Sequence, residues 1–380
     1  MLYRSVYAPT VAHLIPQTSA LLSQWDGSSP PPDTALATMA HELHGLANNR
    51  QAGNLAAAVN RHFAGATSII NRSARSLRNQ PIDDLGSKVE QGQPPNPLGT
   101  ENLGAHLLKE AHPQWEDIVF WRAIKEASRS FTDANILTAL DLSRDETGAL
   151  QLRPSARIYL QLYAKTLSLS LLITLLCLLL GYPLAYFLAH TTRRRANLLL
   201  IFVLLPFWTS LLVRTTAWIA LLQTNGVINN VLLWLGAIAA PLELLYTRFS
   251  TVIAMTHILL PFMVLPLYSV MRSIDPSYVR AALSLGSRPF GAFIKVYFPL
   301  SLAGVSAGCL LVFIISVGYY ITPALVGGTD GQMIGNLIAF HMQQTNNWGL
   351  AAALGGLLLG LILILYWLYD RLVGTTHLVN

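Results

Sequence analysis

The sequence predicts an all-α, polytopic membrane helical bundle preceded by a polar, mostly helical region, and three observations carry that prediction. Five apolar stretches are long enough to cross lipid. Carboxylates nearly vanish after Arg157, where only Glu243, Asp275, Asp330 and Asp370 remain. Lysine and arginine gather in alternate connections between the apolar stretches. The 380 residues are 53% hydrophobic and only 12% charged, against about a quarter charged in ordinary soluble domains.

Residues 1–157 form the polar part, with the boundary near Arg153-Pro154. Leu, Ala, Ile and Phe recur at helical spacing over Thr34–Asn48, Asn54–Arg78 and Asn102–Ser128. Proline-rich connectors separate them, at Ser28–Pro32 and again from Gln91 to Pro97. His41-Glu42-Leu43-His44 has its histidines three apart. A helical zinc-protease pair needs four, so these read as surface histidines and no metal is expected.

Residues 158–380 carry the spans. About 20 mostly apolar residues cross a bilayer. The stretches are Leu162–Ala189, Leu198–Leu222, Phe249–Val270, Val296–Ile321 and Leu350–Leu372. The first, third and fourth carry Gly or Pro: Gly181 and Pro183, Pro261 and Pro266, and Pro299 and Gly304. Such residues bend pore-lining helices or let helices approach closely. Cys177 and Cys309 lie inside apolar runs and read as packing residues.

Arg193–Arg195 separate the first two spans; Arg272, Arg280, Arg288 and Lys295 separate the third and fourth; Arg371 ends the fifth. Residues 223–247 and 322–349 contain no Lys or Arg. Positive loops stay inside, so the reading puts these basic connections and the C-terminus in the cytoplasm and residues 1–157 outside. Such a domain needs either a further membrane helix ahead of Met1 or unassisted translocation of the N-terminal tail. The net charge of +6 sits where loops meet anionic lipid rather than in a basic stripe, so nucleic acid is not expected as a partner.

The most informative stretch is Asp275–Gly286. Asp275 can cap a helix and Pro276 suits its first position. Gly286 is the expected left-handed terminator. Tyr278, Ala281, Ala282 and Leu285 recur at i, i+3, i+4 and i+7 and form one apolar face. A short helix of this kind either rests on lipid headgroups or lies in a groove of a cytoplasmic partner.

This stretch resembles the "EAA" coupling motif of ABC importer permeases. Ala281, Ala282, Gly286 and Pro299 match in register, with Arg280 where the family usually has Glu. The resemblance extends from Arg157 to Arg371. Gly181-Tyr182-Pro183, Leu205-Pro206-Phe207-Trp208, Leu260-Pro261-Phe262, Leu265-Pro266-Leu267 and Val326-Gly327-Gly328 are similar to the spermidine/putrescine-type branch of the type I importers. The resemblance implies an inner-membrane machine of two permeases, two cytoplasmic ATPase subunits and an extracytoplasmic solute-binding protein. It implies that ATP is used by the partner. The chain has no G-x-x-x-x-G-K-[ST] phosphate loop of its own, and neither a cofactor nor an enzymatic reaction is expected of it.

Along the path, Arg214 is the charge to examine first. It could face the solute, pair with a helix C-terminus or a carboxylate, or snorkel outward. Pro183, Pro206, Pro261 and Pro266 are candidate bends of the path or its gate. Lys165 reads as a snorkelling residue. Glu243 and Asp330, with Trp218, Trp234, Tyr246 and Trp348, fall toward the external side, where acids and aromatics could meet an amine or dock the binding protein. The implied cargo is a small amine such as a polyamine. An amino-acid relative, an opine, a sugar or ferric iron in the same machine is the alternative. An ion-coupled secondary transporter fits less well, since no inverted repeat is evident.

Overall fold

A computed structural model describes residues 3–7, 9–78, 101–144, 149–152 and 157–374. The chain divides into two compact units, residues 1–135 and 136–380. The division falls earlier than the Arg153-Pro154 boundary read from composition. Physical contact explains the shift. Ile136 and Ala139 pack with Tyr163, Val317 and Ile334 of the apolar unit, and the buried Asp141 carboxylate accepts the Leu160 N–H at 2.8 Å. That bond satisfies an orphan donor at the start of the first long helix.

In the N-terminal unit, α1 (Pro16–Gln24), α2 (Asp33–Asn48), α3 (Ala52–Val59), α4 (Ala66–Leu77), α5 (Glu101–Ala111) and α6 (Ile118–Ser128) follow one another. Two of the long helices expected from periodicity are broken. Between α3 and α4 the chain turns at Gly65, with φ +96°, and Asn60 Oδ1 accepts the Gly65 N–H at 3.0 Å. Pro113 starts a separate turn between α5 and α6. The Gln91–Pro97 connector lies outside the described residues. Trp115, Phe120 and Trp121 are fully buried among Leu43, Leu55 and Ile70. Both indole N–H groups are satisfied, by Ser73 Oγ at 2.8 Å and by the Trp115 carbonyl at 2.7 Å.

The expectation of surface histidines needs correcting. His44 is buried, 2.9 Å from the Asn48 amide. Glu42 uses both carboxylate oxygens to accept the N–H groups of Gln17 and Thr18, at 2.8 and 3.0 Å. It is the anion that α1 needs at its N-terminus.

Near the start of the second unit, after a short helix over Ala134–Ala139, β1 (Leu142–Arg144) pairs antiparallel with β2 (Leu150–Leu152). The helices follow: α7 (Ile158–His190), α8 (Arg193–Trp208), α9 (Leu211–Leu222), α10 (Val227–Trp234), α11 (Arg248–Ser273) and α12 (Pro276–Ser284). After them come α13 (Phe298–Gly318), α14 (Ile321–Val326), α15 (Ile334–Gln343) and α16 (Trp348–Gly374). Four stretches of the described residues are long and apolar enough to cross a membrane: Ile158–His190, Arg248–Ser273, Pro289–Gly318 and Trp348–Arg371. The expected second span is not one helix. It is α8 and the helices after Leu211, bent by 95°, and it makes a fifth crossing only if the bent pair counts as one.

The centre of this unit is α7, α11 and α13 at close range. Met263 of α11 lies between two glycines. A Cβ on Gly181 of α7 would come within 3.0 Å of Met263 Cγ, and one on Gly308 of α13 within 2.8 Å of its Sδ. Small residues allow backbones to approach, and the gain is van der Waals contact. Cys177 and Cys309 are unpaired thiols in the same packing. Gly308→Leu is expected to lower the melting temperature of the detergent-solubilised protein, at a cost of about 1–3 kcal/mol for overpacking. Adding Met263→Ala should recover part of the loss, and a double variant no better than the single one would show that the two sites do not share this space.

Candidate functional site

The site is built on α12, which joins two membrane helices and is closed at both ends by its own sequence. Asp275 Oδ1 accepts the Ser277 N–H at 2.8 Å. That hydrogen bond, with a smaller contribution from Arg280, holds the carboxyl below its ordinary range. Pro276 takes the first turn, where no N–H is needed. At the other end the Ser287 N–H reaches the Ala282 carbonyl at 3.1 Å and the Gly286 N–H reaches Leu283 at 3.0 Å. This is the Schellman arrangement, with Gly286 at φ +86°. Nothing lies within 4 Å of where a Gly286 Cβ would be. Glycine is required there by backbone conformation, not by space.

No residue of α12 is buried. Tyr278 is 57% exposed and Leu285 89%; Arg280 and Ala281 are exposed and Ala282 half-buried. The side toward the bundle is carried instead by Val279, which packs on the α7–α11–α13 core. A helix this short is marginal alone, so its capped ends and the Val279 contact hold it.

Below α12 the chain re-enters the bundle through Pro289–Ala292 and one wide, π-type turn, Phe293–Tyr297. Pro299 follows in the first turn of α13. Two rings of that wide turn meet a column of rings on α7. Tyr297 lies 5.2 Å from Tyr186 and 5.3 Å from His190, ring centre to ring centre. Phe293 lies 5.8 Å from Tyr186 and 6.2 Å from Tyr182, and Tyr182 Oη is 3.0 Å from Ser301 Oγ. Nearby, Arg272 at the end of α11 donates to the Ala189 carbonyl at 2.7 Å, satisfying an orphan acceptor at the C-terminus of α7. The contact between these rings was missed from sequence, although Tyr182, Tyr186 and His190 recur every four residues and Phe293 and Tyr297 do the same.

At the break between α8 and α9, Arg214 settles among backbone carbonyls. Its guanidinium donates to Pro206 O and, at 3.0 Å, to Thr209 O. Ser210 caps α9 by accepting the Val213 N–H at 3.4 Å. Of the roles open to Arg214, the structure gives it the helix C-terminus, where a cation is favourable. Pro206 lies at the last turn of α8 beside this break, while Pro183 lies within α7 and Pro261 and Pro266 within α11. One further polar pair sits in the spans: the Trp218 indole N–H donates to His257 Nδ1 at 3.3 Å.

At the opposite ends of α7 and α11, Asp330 is engaged. It lies 2.8 Å from Arg248 Nε and 3.8 Å from Lys165 Nζ. The Asp330 expected to be a docking acid is therefore paired, and Lys165 is part of an ion network rather than a lone snorkelling cation. The loop holding Asp330 is fixed by the Val326 carbonyl, which accepts the Tyr246 N–H at 2.8 Å and the Ser250 hydroxyl at 2.6 Å. Glu243 is exposed and has no ion pair among the described residues. Trp234 is exposed, as is Tyr246. Among the described residues no group of His, Cys, Asp and Glu could hold a metal.

Over residues 181–376 the chain matches the family of binding-protein-dependent transport system inner membrane components. It belongs to that family. The chain is thus an inner-membrane permease of an ABC importer, a transport component and not an enzyme. The matched residues take in the α8–α9 break, α12 and Pro299. Among its relatives is the spermidine/putrescine transport system permease protein PotB of Escherichia coli, 37% identical over 220 residues, 57% of this chain and 80% of that one. The inner membrane ABC transporter permease protein YdcU of Escherichia coli is 30% identical over 272 residues, 66% of this chain and 84% of its own length. A bacterial importer of the acidic polysaccharide alginate aligns in structure with a TM-score of 0.46 and 18% identity, over 58% of this chain and 81% of that one.

Two outcomes test the permease's closed helix. Gly286→Ala forces a side chain into left-handed backbone and should cost about 1–2 kcal/mol, read as faster hydrogen exchange at Leu285 and Ser287. For Asp275 the folded carboxyl is the depressed one. Its capping contribution is therefore complete at neutral pH and is lost as pH falls through that lowered value. Protection of the Ser277 amide, its exchange rate measured against the intrinsic rate at the same pH, should fall in acid in the native protein and stay level in Asp275→Asn, which accepts the same bond at every pH.

Proposed function

We propose that this permease carries a small polyamine-class amine and takes its mechanical drive at α12 from a cytoplasmic ATPase. The supporting observation is the exposure of α12. A helix capped at both ends, fixed to the bundle on one side and bare on the other, has the form of a lever that a partner's groove can grip. A push on it reaches Phe293 and Tyr297, and through their rings Tyr182, Tyr186 and His190 at the end of α7. Ring edges in contact resist compression, so displacement at α12 moves the ends of α7 and α13 together and alternates access to the path.

In this reading the end of the bundle bearing Arg193–Arg195, α12 and Arg371 is cytoplasmic, with the C-terminus on the same side. Residues 1–157 lie outside, and a second permease subunit completes the path. Pro183, Pro206, Pro261 and Pro266 serve as its bends. Asp275, Arg280, Ala281, Ala282, Leu285, Gly286 and Pro299 make up the coupling element. Arg280 presents a cation where the resembling permeases present Glu, so the facing ATPase surface is expected to offer an acid. Glu243 is the remaining acid for docking a solute-binding protein. The kinship with PotB supports the amine cargo, and Arg214 does not oppose it: with its guanidinium on the α8 carbonyls, it offers no bare charge to a cation.

The decisive measurement is co-purification with the ATPase subunit. Ala281→Arg and Leu285→Asp both change exposed positions, so the permease should insert and fold while losing the ATPase, and uptake of labelled spermidine should fall at least tenfold. Retained co-purification in both variants overturns the role of α12. Loss of ATPase binding together with normal uptake overturns the ATP-driven reading itself. If the intact complex imports another solute and not spermidine, only the cargo assignment falls.

A further inference from the structure

The N-terminal unit holds an open cleft of about 450 Å³ where the end of α2 meets α3 and α4. Arg50, Arg75 and Arg78 line it, together with the Asn71 side chain and the small residues Ala52 and Ala74. Among the described residues no carboxylate lines the cleft and none of the three arginines has an ion-pair partner. Arg75 donates through Nε to the Asn71 carbonyl at 3.2 Å. That contact anchors its stem while leaving its terminal nitrogens to the cleft.

The backbone at Arg50 adds a second observation. The Gln51 N–H reaches the Leu46 carbonyl at 2.8 Å and the Arg50 N–H reaches Ala47 at 3.3 Å. This is the same helix-ending arrangement as at α12, but the left-handed position occupied there by Gly286 is here an arginine, with φ +57°. Glycine is the unstrained choice at such a position. An arginine held there against backbone preference, at the rim of a cleft with two more arginines, points to work for its side chain rather than for its main chain.

We propose that this cleft binds a polyvalent oxyanion of the phosphate class. Three guanidinium forks provide more donors than one carboxylate can accept, and planar forks match phosphate oxygens two at a time. The cleft lies in the size range of small-ligand sites. The anion can be free in solution or the headgroup of a lipid, since both present the same oxygens.

The test uses the full chain in a neutral detergent at low salt, titrated with sodium pyrophosphate by calorimetry. Saturable binding is expected. Arg50→Gly should weaken it about tenfold, the loss of one charge-assisted contact, with an unchanged or raised melting temperature because glycine suits that backbone. The double variant Arg75→Gln/Arg78→Gln should weaken it further, whereas Arg72→Gln, on the same helix but not lining the cleft, should not. If short-chain phosphatidylglycerol displaces pyrophosphate and short-chain phosphatidylcholine does not, the occupant is a headgroup; displacement by neither identifies a free phosphate. Absence of saturable binding, an unaffected Arg50→Gly, or an equal loss in Arg72→Gln overturns the proposal.

Discussion

Lipid supplies no hydrogen bonds, and the membrane unit is arranged around that lack. A helix satisfies its own interior, but each end leaves carbonyls or amides open. In this permease those ends are closed by side chains from elsewhere in the unit. Asp141 receives an amide at the start of α7, Arg272 donates to a carbonyl at its finish, and Arg214 does the same where α8 stops. Each partner is charged, and each bond to a charged group is stronger than a neutral one. The 95° break between α8 and α9 depends on this. The Pro206 carbonyl also accepts from the Thr209 hydroxyl at 2.9 Å, but the Thr209 carbonyl, at an interruption inside a hydrophobic segment, has the Arg214 guanidinium as its donor.

The same economy explains the packing. Proline removes a donor and frees a carbonyl, and α11 contains two prolines. The carbonyls left without a donor are those of His257 and Phe262, one turn before each proline; separately, α13 approaches the α11 backbone closely, and a Cβ on Gly304 would stand 3.2 Å from the Pro266 carbonyl. Gly304 and Gly308 together bring α13 against the α11 backbone from Met263 to Leu267.

What could be read from sequence was whatever the chain decides locally. The α12 helix needed only Asp275, Pro276 and Gly286 within twelve residues of one another, and each took the backbone role that its chemistry favours. The four apolar helices followed from composition alone. What could not be read depended on residues far apart in the chain. Arg214 is an intramembrane cation until Pro206 and Thr209 are folded back toward it. Asp330 looks like a free acid until Arg248 and Lys165, from two other segments, arrive beside it. The break after Trp208 was hidden because Leu198–Leu222 is long and predominantly apolar, although Pro206 and the capping Ser210 mark the place; apolarity does not reveal direction. The ring column was accessible in principle, since fourfold spacing on two separate segments is a pattern; it was overlooked because aromatic residues in spans usually read as interfacial belts.

The ring contacts between α7 and the wide turn have a mechanical consequence. Close-packed rings resist being pushed together along the line joining their centres, while a sideways shift costs only the preference for edge-on geometry, about 0.5–1.5 kcal/mol per pair. Phe293 and Tyr297 against Tyr182, Tyr186 and His190 therefore behave like a thrust bearing. Force arriving end-on is delivered into the bundle, while sideways wobble of the outer helix is dissipated at the rings. Under the proposed coupling, a motor that swings through an arc could then drive this protein without shearing the joint.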